Sequence, residues 1–129
     1  MRELNRKVGE MEYDGLITDL NPPVQTRGAV IAKVSEAAAY PRGTIFAKSS
    51  SNNMLYLLGS TGVGTLTPDC VLCDETKVGI EADVTAVVYT AGCFDPEKTT
   101  VKDGYAITEA DRDKLRERNI VFKAAHDAN

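Results

Sequence analysis

The sequence predicts a small, mainly β domain with one short helix in its C-terminal half. The run 82–95 is dominated by Val, Thr, Tyr and Ala, and most of these side chains suit a pleated surface. Other short apolar runs alternate with Gly, Pro, Ser and Asn turn signals. A single helix start signal combines Thr108 with Asp111, three residues later. Together these patterns indicate a barrel-like β body that carries one surface helix.

The run 82–95 is interpreted as the central strand. Alternation places its side chains on two mostly apolar faces, one formed by Val84, Ala86 and Val88 and the other by Thr85, Val87 and Tyr89. Such a pattern is typical of a strand that is covered on both sides. We therefore expect the other segments to pack against this strand.

The remaining elements follow from shorter patterns. Apolar runs predict further strands at 29–34, 43–48, 54–58, 70–73 and 120–122. The polar residues 49–53 predict a hairpin tip, 37–40 a single turn, 59–68 a loop and 74–81 a connection. The helix is expected over 109–118, seated on the body by Ala110 and Leu115 and followed by Asn119 at the C′ position.

Length and charge narrow the class of protein. The chain has 129 residues, which is the size of one domain, and a net charge of −4. It has no Lys/Arg cluster that would bind a phosphate backbone, so a nucleic-acid partner is not expected. No apolar run is long enough to span a membrane, and no signal peptide is recognisable. Three cysteines, an odd number, favour free thiols in a reducing cytosol.

The chain divides into an N-terminal arm and a body. Residues 1–20 mix charges of both signs with scattered apolar side chains and precede the sequence Pro22-Pro23, which stops a helix. We interpret 1–20 as an arm that is flexible until bound and 21–129 as a single β-rich domain. A solvated tail without a partner is the alternative for the arm.

Possible chemistry centres on the cysteines. Cys70 and Cys73, with Cys93 and His126, have the residue types of a zinc site. However, residues three apart in a strand face opposite ways, which favours buried structural thiols. The glycines at 59, 62 and 64 lack the Lys-Ser/Thr ending of a phosphate loop. We therefore predict no catalytic residues, no metal site and no cofactor.

Several segments resemble the lambda-type bacteriophage head decoration family, the capsid cement proteins. The resemblance is carried by Thr-Arg-Gly-Ala-Val-Ile at 26–31, Pro-Arg-Gly-Thr-Ile at 41–45 and Val-Val-Tyr-Thr-Ala-Gly-Cys-Phe-Asp at 87–95. It continues through the helix at 109–118 and Ile-Val-Phe at 120–122, and covers roughly residues 16–124. Two features depart from the family pattern, namely Cys93, where a polar or acidic residue is usual, and the strongly charged N-terminus.

This resemblance implies a β-clip (β-tulip) domain that forms homotrimers. Such trimers bind the major capsid protein on the outside of the expanded head at three-fold positions and stabilise it. The resemblance places the protein in the host cytoplasm during assembly and then on the virion surface. We expect Leu16, Ile17 and Leu20 to make the arm's capsid contact, and Val88, Tyr89 and Phe94 to lie at the trimer interface.

Two other functions remain open from the sequence. One is a different β-clip virion or binding module, such as a tail or fibre attachment domain. The other is a small β-clip nucleotide hydrolase, which would need convergent acidic and basic side chains that the pattern does not offer. The prediction is therefore a non-enzymatic structural protein.

Overall fold

The computed structural model describes residues 15–124, which form a mainly β body with one α-helix. The helix α1 spans Glu109–Glu117, and a short 3₁₀ turn occupies Pro96–Lys98. The strands are β1 (Ile17–Asp19), β2 (Gln25–Ile31), β3 (Ala38–Tyr40), β4 (Ile45–Ser49), β5 (Leu55–Leu57), β6 (Leu66–Leu72), β7 (Thr76–Val78), β8 (Val84–Phe94) and β9 (Ile120–Phe122).

Five strands close into a small barrel. Their order is β2, β5, β4, β6 and β8, and β8 pairs again with β2. The predicted class, a small β barrel with one helix in the C-terminal half, is confirmed. The longest strand, β8, pairs with β2 and β6, and its last residues hold β1 and the parallel strand β9. The run that the sequence marks as central is therefore the strand with the most partners.

Side chains alternate in direction along the barrel strands and therefore form two separate apolar clusters. Neighbouring residues of β6 divide between them, with Cys70 in the first and Val71 in the second. The first cluster fills the barrel and consists of Ile31, Phe46, Leu55, Cys70, Leu72, Val78 and Val88. The second lies where α1, β1 and β9 cover the barrel and consists of Leu16, Ile45, Ala47, Leu58, Val71, Cys73, Tyr89, Phe94, Leu115 and Ile120.

The central strand is covered on both sides over part of its length. Val88 and Tyr89 are both buried, although they point to opposite faces. At the N-terminal end of β8, however, the prediction of two covered faces is wrong. Thr85 is exposed there, and Val87 keeps 52% of its surface accessible, because no element within residues 15–124 packs over that face of the β2–β8 pair.

Some short elements differ from the sequence prediction. Residues 38–40 form strand β3 rather than a turn, and they pair with β7, which lies inside the predicted connection 74–81. The predicted loop 59–68 ends early because β6 begins at Leu66. Three-residue strands carry too little periodicity to be recognised without their partner.

The helix forms as the sequence predicts. Thr108 Oγ1 accepts a hydrogen bond from the Asp111 amide at 3.1 Å, and Asp111 Oδ2 accepts one from the Thr108 amide at 3.1 Å. This reciprocal capping box satisfies two backbone donors at the N-terminus. Asn119 has a φ of 68° and ends the helix in the left-handed conformation. Leu115 is fully buried, whereas Ala110 is exposed, so the predicted apolar stripe narrows to a single residue.

The arm is shorter than the sequence predicted. Its boundary at residue 20 is wrong, because Ile17–Asp19 form β1 and pair with Phe94 and Cys93 of β8. Leu16 retains 1% of its surface and belongs to the second core cluster. The fold therefore begins by residue 16. Most of the predicted arm, residues 1–14, and His126 lie outside the described residues.

Candidate functional site

The N-terminal entry, where the chain joins the folded body at residues 17–21, exposes one apolar side chain beside a hydrogen-bonded turn. Asp19 Oδ1 accepts hydrogen bonds from the amides of Leu20 at 2.7 Å and Asn21 at 3.3 Å. These donors, assisted by the Lys123 ammonium group, lower the pKa of Asp19. The Thr18 hydroxyl donates to the Lys123 carbonyl at 2.8 Å and holds β1 close to the end of β9. The turn leaves Leu20 77% exposed.

Of the three predicted capsid-contact residues, Leu20 alone has a largely free side chain. Ile17 is half-buried within β1, and Leu16 is buried in the core. The assignment of Leu16 to a docking surface is therefore wrong, since reaching a partner would require pulling it out of the second cluster. Leu20, together with the chain that precedes Gly15, remains the candidate for that contact.

Leu16→Ala should destabilise the fold rather than a contact with another protein. Removing a fully buried leucine side chain leaves a cavity, so we expect the free energy of unfolding to fall by about 2–5 kcal/mol. Leu20→Ala is the matched control and should change it by less than about 0.5 kcal/mol, because Leu20 is exposed. Urea unfolding followed by circular dichroism measures both. Equal stability of the two variants would contradict the burial of Leu16.

The predicted trimer-interface residues are also inside the subunit. Val88 and Phe94 have no accessible surface, and Tyr89 retains 3%. The Tyr89 hydroxyl receives a hydrogen bond from Arg42 Nη1 at 2.6 Å, and the guanidinium carbon lies 5.5 Å from the ring centroid. The assignment of these three side chains to an interface is wrong, because the two apolar clusters of a single subunit already cover both faces of this part of β8.

A different part of the same strand pair is open. On β2, Gly28 pairs with Val87 and Val30 pairs with Thr85, so these four residues share the outer face of the sheet. Val30 is 39% exposed and Val87 is 52% exposed. An additional Cβ atom on Gly28 would have no neighbour within 4 Å. The outer face is thus a flat, partly apolar surface.

Strand β2 also has an open edge next to this face. It pairs with β8 along its whole length, but with β5 at one position, Ile31 opposite Leu55. Beyond that point β2 diverges from the β4–β5 hairpin and leaves a groove of about 390 Å³. The lining residues are Arg27, Gly28, Ala29, Val30, Lys48, Asn52, Asn53, Met54 and Leu55.

The charges in this groove are positive. Arg27 Nη2 lies 3.0 Å from Asp69 Oδ2, and Arg118 Nη1 lies 3.1 Å from Oδ1 of the same carboxylate, whose side chain is 1% exposed. The contact between Arg118 and Asp69 is short enough for an ion pair, but its geometry is not that of a hydrogen bond. Two half-exposed arginines thus share one buried carboxylate, and of the two Arg27 lines the groove, where the half-buried Lys48 adds a second positive charge.

The cysteines are buried free thiols, as predicted. Cys70 points into the barrel cluster and Cys73 into the second cluster, as expected for residues three apart along one extended segment. Burial, assisted by Asp74, raises the pKa of Cys73 to about 11, and burial and Asp69 raise the pKa of Cys70 further. Because thiolates are the reactive species, both sulfurs are unreactive near neutral pH.

The described residues offer neither a metal site nor a membrane-spanning helix. Within residues 15–124, no group of three or more His, Cys, Asp or Glu side chains is placed to hold a metal ion. No helix in the same range is sufficiently long and apolar to cross a membrane.

Sequence reasoning missed the groove and the carboxylate beneath it. Gly28 was the available signal, because a glycine inside a strand often marks close approach by another backbone. Asp69 follows Pro68 at the centre of an apolar segment, which is an unusual place for an unpaired acid. Its two arginine partners are 42 and 49 positions away, so no local pattern connects them to it. Comparison of the chain with protein families and with curated proteins finds no match.

Proposed function

We propose that this protein is a bacteriophage head decoration protein that binds as a homotrimer to the outside of the expanded capsid at three-fold positions. The major capsid protein would be its partner, and stabilisation of the shell its role. The virion surface would be its final location, after synthesis in the host cytoplasm. Neither catalysis nor a cofactor is part of this proposal.

The observation that carries the proposal is the position of the family-like segments in the fold. Residues 26–31 lie in β2 and pair with β8, which contains most of the segment 87–95. The end of β8 pairs with β9, and α1 packs against β6 and β9. Segments that are distant in sequence thus form one continuous body, as expected if they were retained together for one architecture.

The N-terminal entry supports a tethering role. Leu20 is exposed beside the turn at Asp19, and β1 fixes the point at which residues 1–14 join the body. An extended segment that adds to a strand of the shell would gain affinity from main-chain hydrogen bonds. Three such tethers on one trimer would bind by avidity, so each contact can be weak.

Removal of residues 1–14 tests the tether. We expect binding to expanded empty heads to weaken by about tenfold or more, because each subunit loses its strand-forming segment. The heads would be expanded empty heads of the source phage, and binding would be measured by co-sedimentation. The stability of the body should change by less than about 0.5 kcal/mol, since the deletion ends before Leu16. Undiminished binding of a folded deletion variant would refute the tether.

Electron microscopy of decorated particles tests the location. Density for the protein at three-fold positions on the head is the expected result. Density confined to the tail or fibres would instead identify the alternative virion module.

A further inference from the structure

Thr26 and Gly28 on the open edge of β2 have backbone groups with unused hydrogen-bonding capacity. The Ala32 amide donates to the Leu55 carbonyl at 3.0 Å, so Ala32 faces β5 and the groove. Because backbone groups alternate in direction along a strand, those of Thr26, Gly28 and Val30 face the same way. At Val30 the carbonyl is used by the Ile31–Leu55 bridge, where it accepts from the Leu55 amide, whereas no described residue pairs with the backbone of Thr26 or Gly28 on that side. An exposed edge of this kind is a template for another strand.

The two faces beside this edge differ in chemistry. Side chains of Val30 and Val87 make the outer face partly apolar. On the inner face lies Arg27, which points to the opposite side of β2 from Val30. Lys48 pairs with Leu55, whose side chain belongs to the first cluster, so Lys48 points to the mouth of the barrel. A strand that fits would need apolar side chains on its outer face and acidic side chains on its inner face.

One stretch of this chain has that pattern. Residues 10–14 read Glu10-Met11-Glu12-Tyr13-Asp14, so that acidic and apolar side chains alternate with the period of a β-strand. In an added strand, Met11 and Tyr13 would extend the apolar outer face. The three carboxylates would face Arg27 and Lys48. In either strand direction the two-residue period puts the acidic and the apolar side chains on opposite faces, and the register that turns the carboxylates inward is the one matched by the charges of the groove.

The acidic stretch cannot reach the groove of its own subunit. Ile17 pairs with Phe94, whereas Gly28 pairs with Val87, which is seven positions earlier on β8, or about 23 Å along the strand. The antiparallel pairing directs the chain before Ile17 away from Val87. From Gly15 to Glu12 the chain spans at most about 11 Å. If this stretch occupies the groove, it therefore comes from another copy.

We propose that residues 10–14 of one subunit add as a β-strand to the open edge of β2 in a neighbouring subunit. The donor segment and the acceptor groove are different surfaces, so the contact is heterologous. Repeated from subunit to subunit, such contacts form a closed ring. This proposal rests on the homotrimer of the proposed function and supplies its contact. In that arrangement residues 1–8, which include Arg2, Glu3, Arg6 and Lys7, would remain for the contact with the shell.

The direct test places a spin label next to the donor and detects it at the acceptor. Gly9→Cys provides a site for the label, while Cys70, Cys73 and Cys93 are buried and stay unlabelled. Labelled, unenriched full-length protein is mixed with ¹⁵N-enriched full-length protein. We expect broadening of the Thr26, Gly28 and Val30 amide signals in the enriched copy. Absence of broadening, or broadening centred on another element, would overturn the proposal.

A pair of substitutions at one position tests the strand-like contact. Gly28→Pro removes the outward amide without touching the β2–β8 ladder, and Gly28→Ala keeps it and meets no neighbour. We expect proline to weaken self-association by about tenfold or more and alanine to leave it nearly unchanged. Analytical ultracentrifugation gives both constants. Equal association of two folded variants would contradict strand addition.

A charge exchange tests the partner and does not depend on proline. Lys48→Glu should weaken self-association by about two- to tenfold, more at low salt. Combining it with Glu10→Lys and Glu12→Lys should restore association, while Lys77→Glu, at an exposed position of β7, should have no effect. Failure of the exchange to restore association would count against the acidic stretch as the occupant. Head binding is measured separately, so failure of the subunit contact is distinguishable from failure of capsid decoration.

Discussion

Phe94→Ala should lower the free energy of unfolding by about 3–5 kcal/mol, because it removes a fully buried aromatic side chain. Phe94 aligns with Ile17 of β1 and Phe122 of β9, and its ring centroid lies 5.3 Å from that of Tyr89. Loss of the ring would therefore loosen β1 and β9 together, and with β1 the point at which the proposed tether would join the body. Chemical denaturation followed by circular dichroism measures the change.

Val87→Thr is the matched control on the same strand. It keeps a β-branched side chain at a half-exposed position, so the expected change is within about 0.5 kcal/mol. Comparison of the two variants also distinguishes a side chain buried within one subunit from a side chain at a subunit interface. If Phe94 lay between subunits, Phe94→Ala would weaken self-association and leave the stability of the isolated subunit intact. That outcome would contradict the structure.

The second large effect is expected at the buried carboxylate. The double substitution Arg27→Met and Arg118→Met should cost about 3–5 kcal/mol, because it leaves the Asp69 side chain buried without a counter-charge. Methionine retains part of the apolar stem of each arginine, so the loss reports mainly the charge. Each single variant should cost about 1–2 kcal/mol, since one arginine remains.

A third substitution shows whether the cost is electrostatic. Adding Asp69→Asn to the double variant removes the unpaired charge and should recover part of the lost stability. Thermal unfolding of the wild type and the four variants completes the comparison. If the double variant cost no more than either single variant, or if asparagine gave no recovery, the carboxylate would not depend on its two partners.

Prediction from sequence succeeded where a local pattern was long or chemically specific. The eleven residues of β8 carry enough alternation to identify a central strand. Thr108 and Asp111 identify the helix start through bonds between near neighbours. The hairpin between β4 and β5 and the buried thiols of Cys70 and Cys73 follow from similarly local reasoning.

The candidate contact residues were less predictable. Apolar character marks both core and interface side chains, and Leu16, Val88, Tyr89 and Phe94 proved to be core. Leu20 is distinguished from Leu16 by the turn at Asp19 and not by its residue type. The groove beside β2 exists because β2 and β5 meet at one position and then diverge, which no single strand pattern records.

The sequence alone determined the class of the fold, the central strand, the helix with its caps and the alternation that divides each strand between two faces. These properties arise from interactions between residues a few positions apart, so they can be read along the chain. Only the tertiary structure decided which faces are covered, where the arm ends and the body begins, and which charges surround Asp69. Those outcomes depend on contacts between residues far apart in sequence, and burial of a side chain is set by what the folded chain places over it.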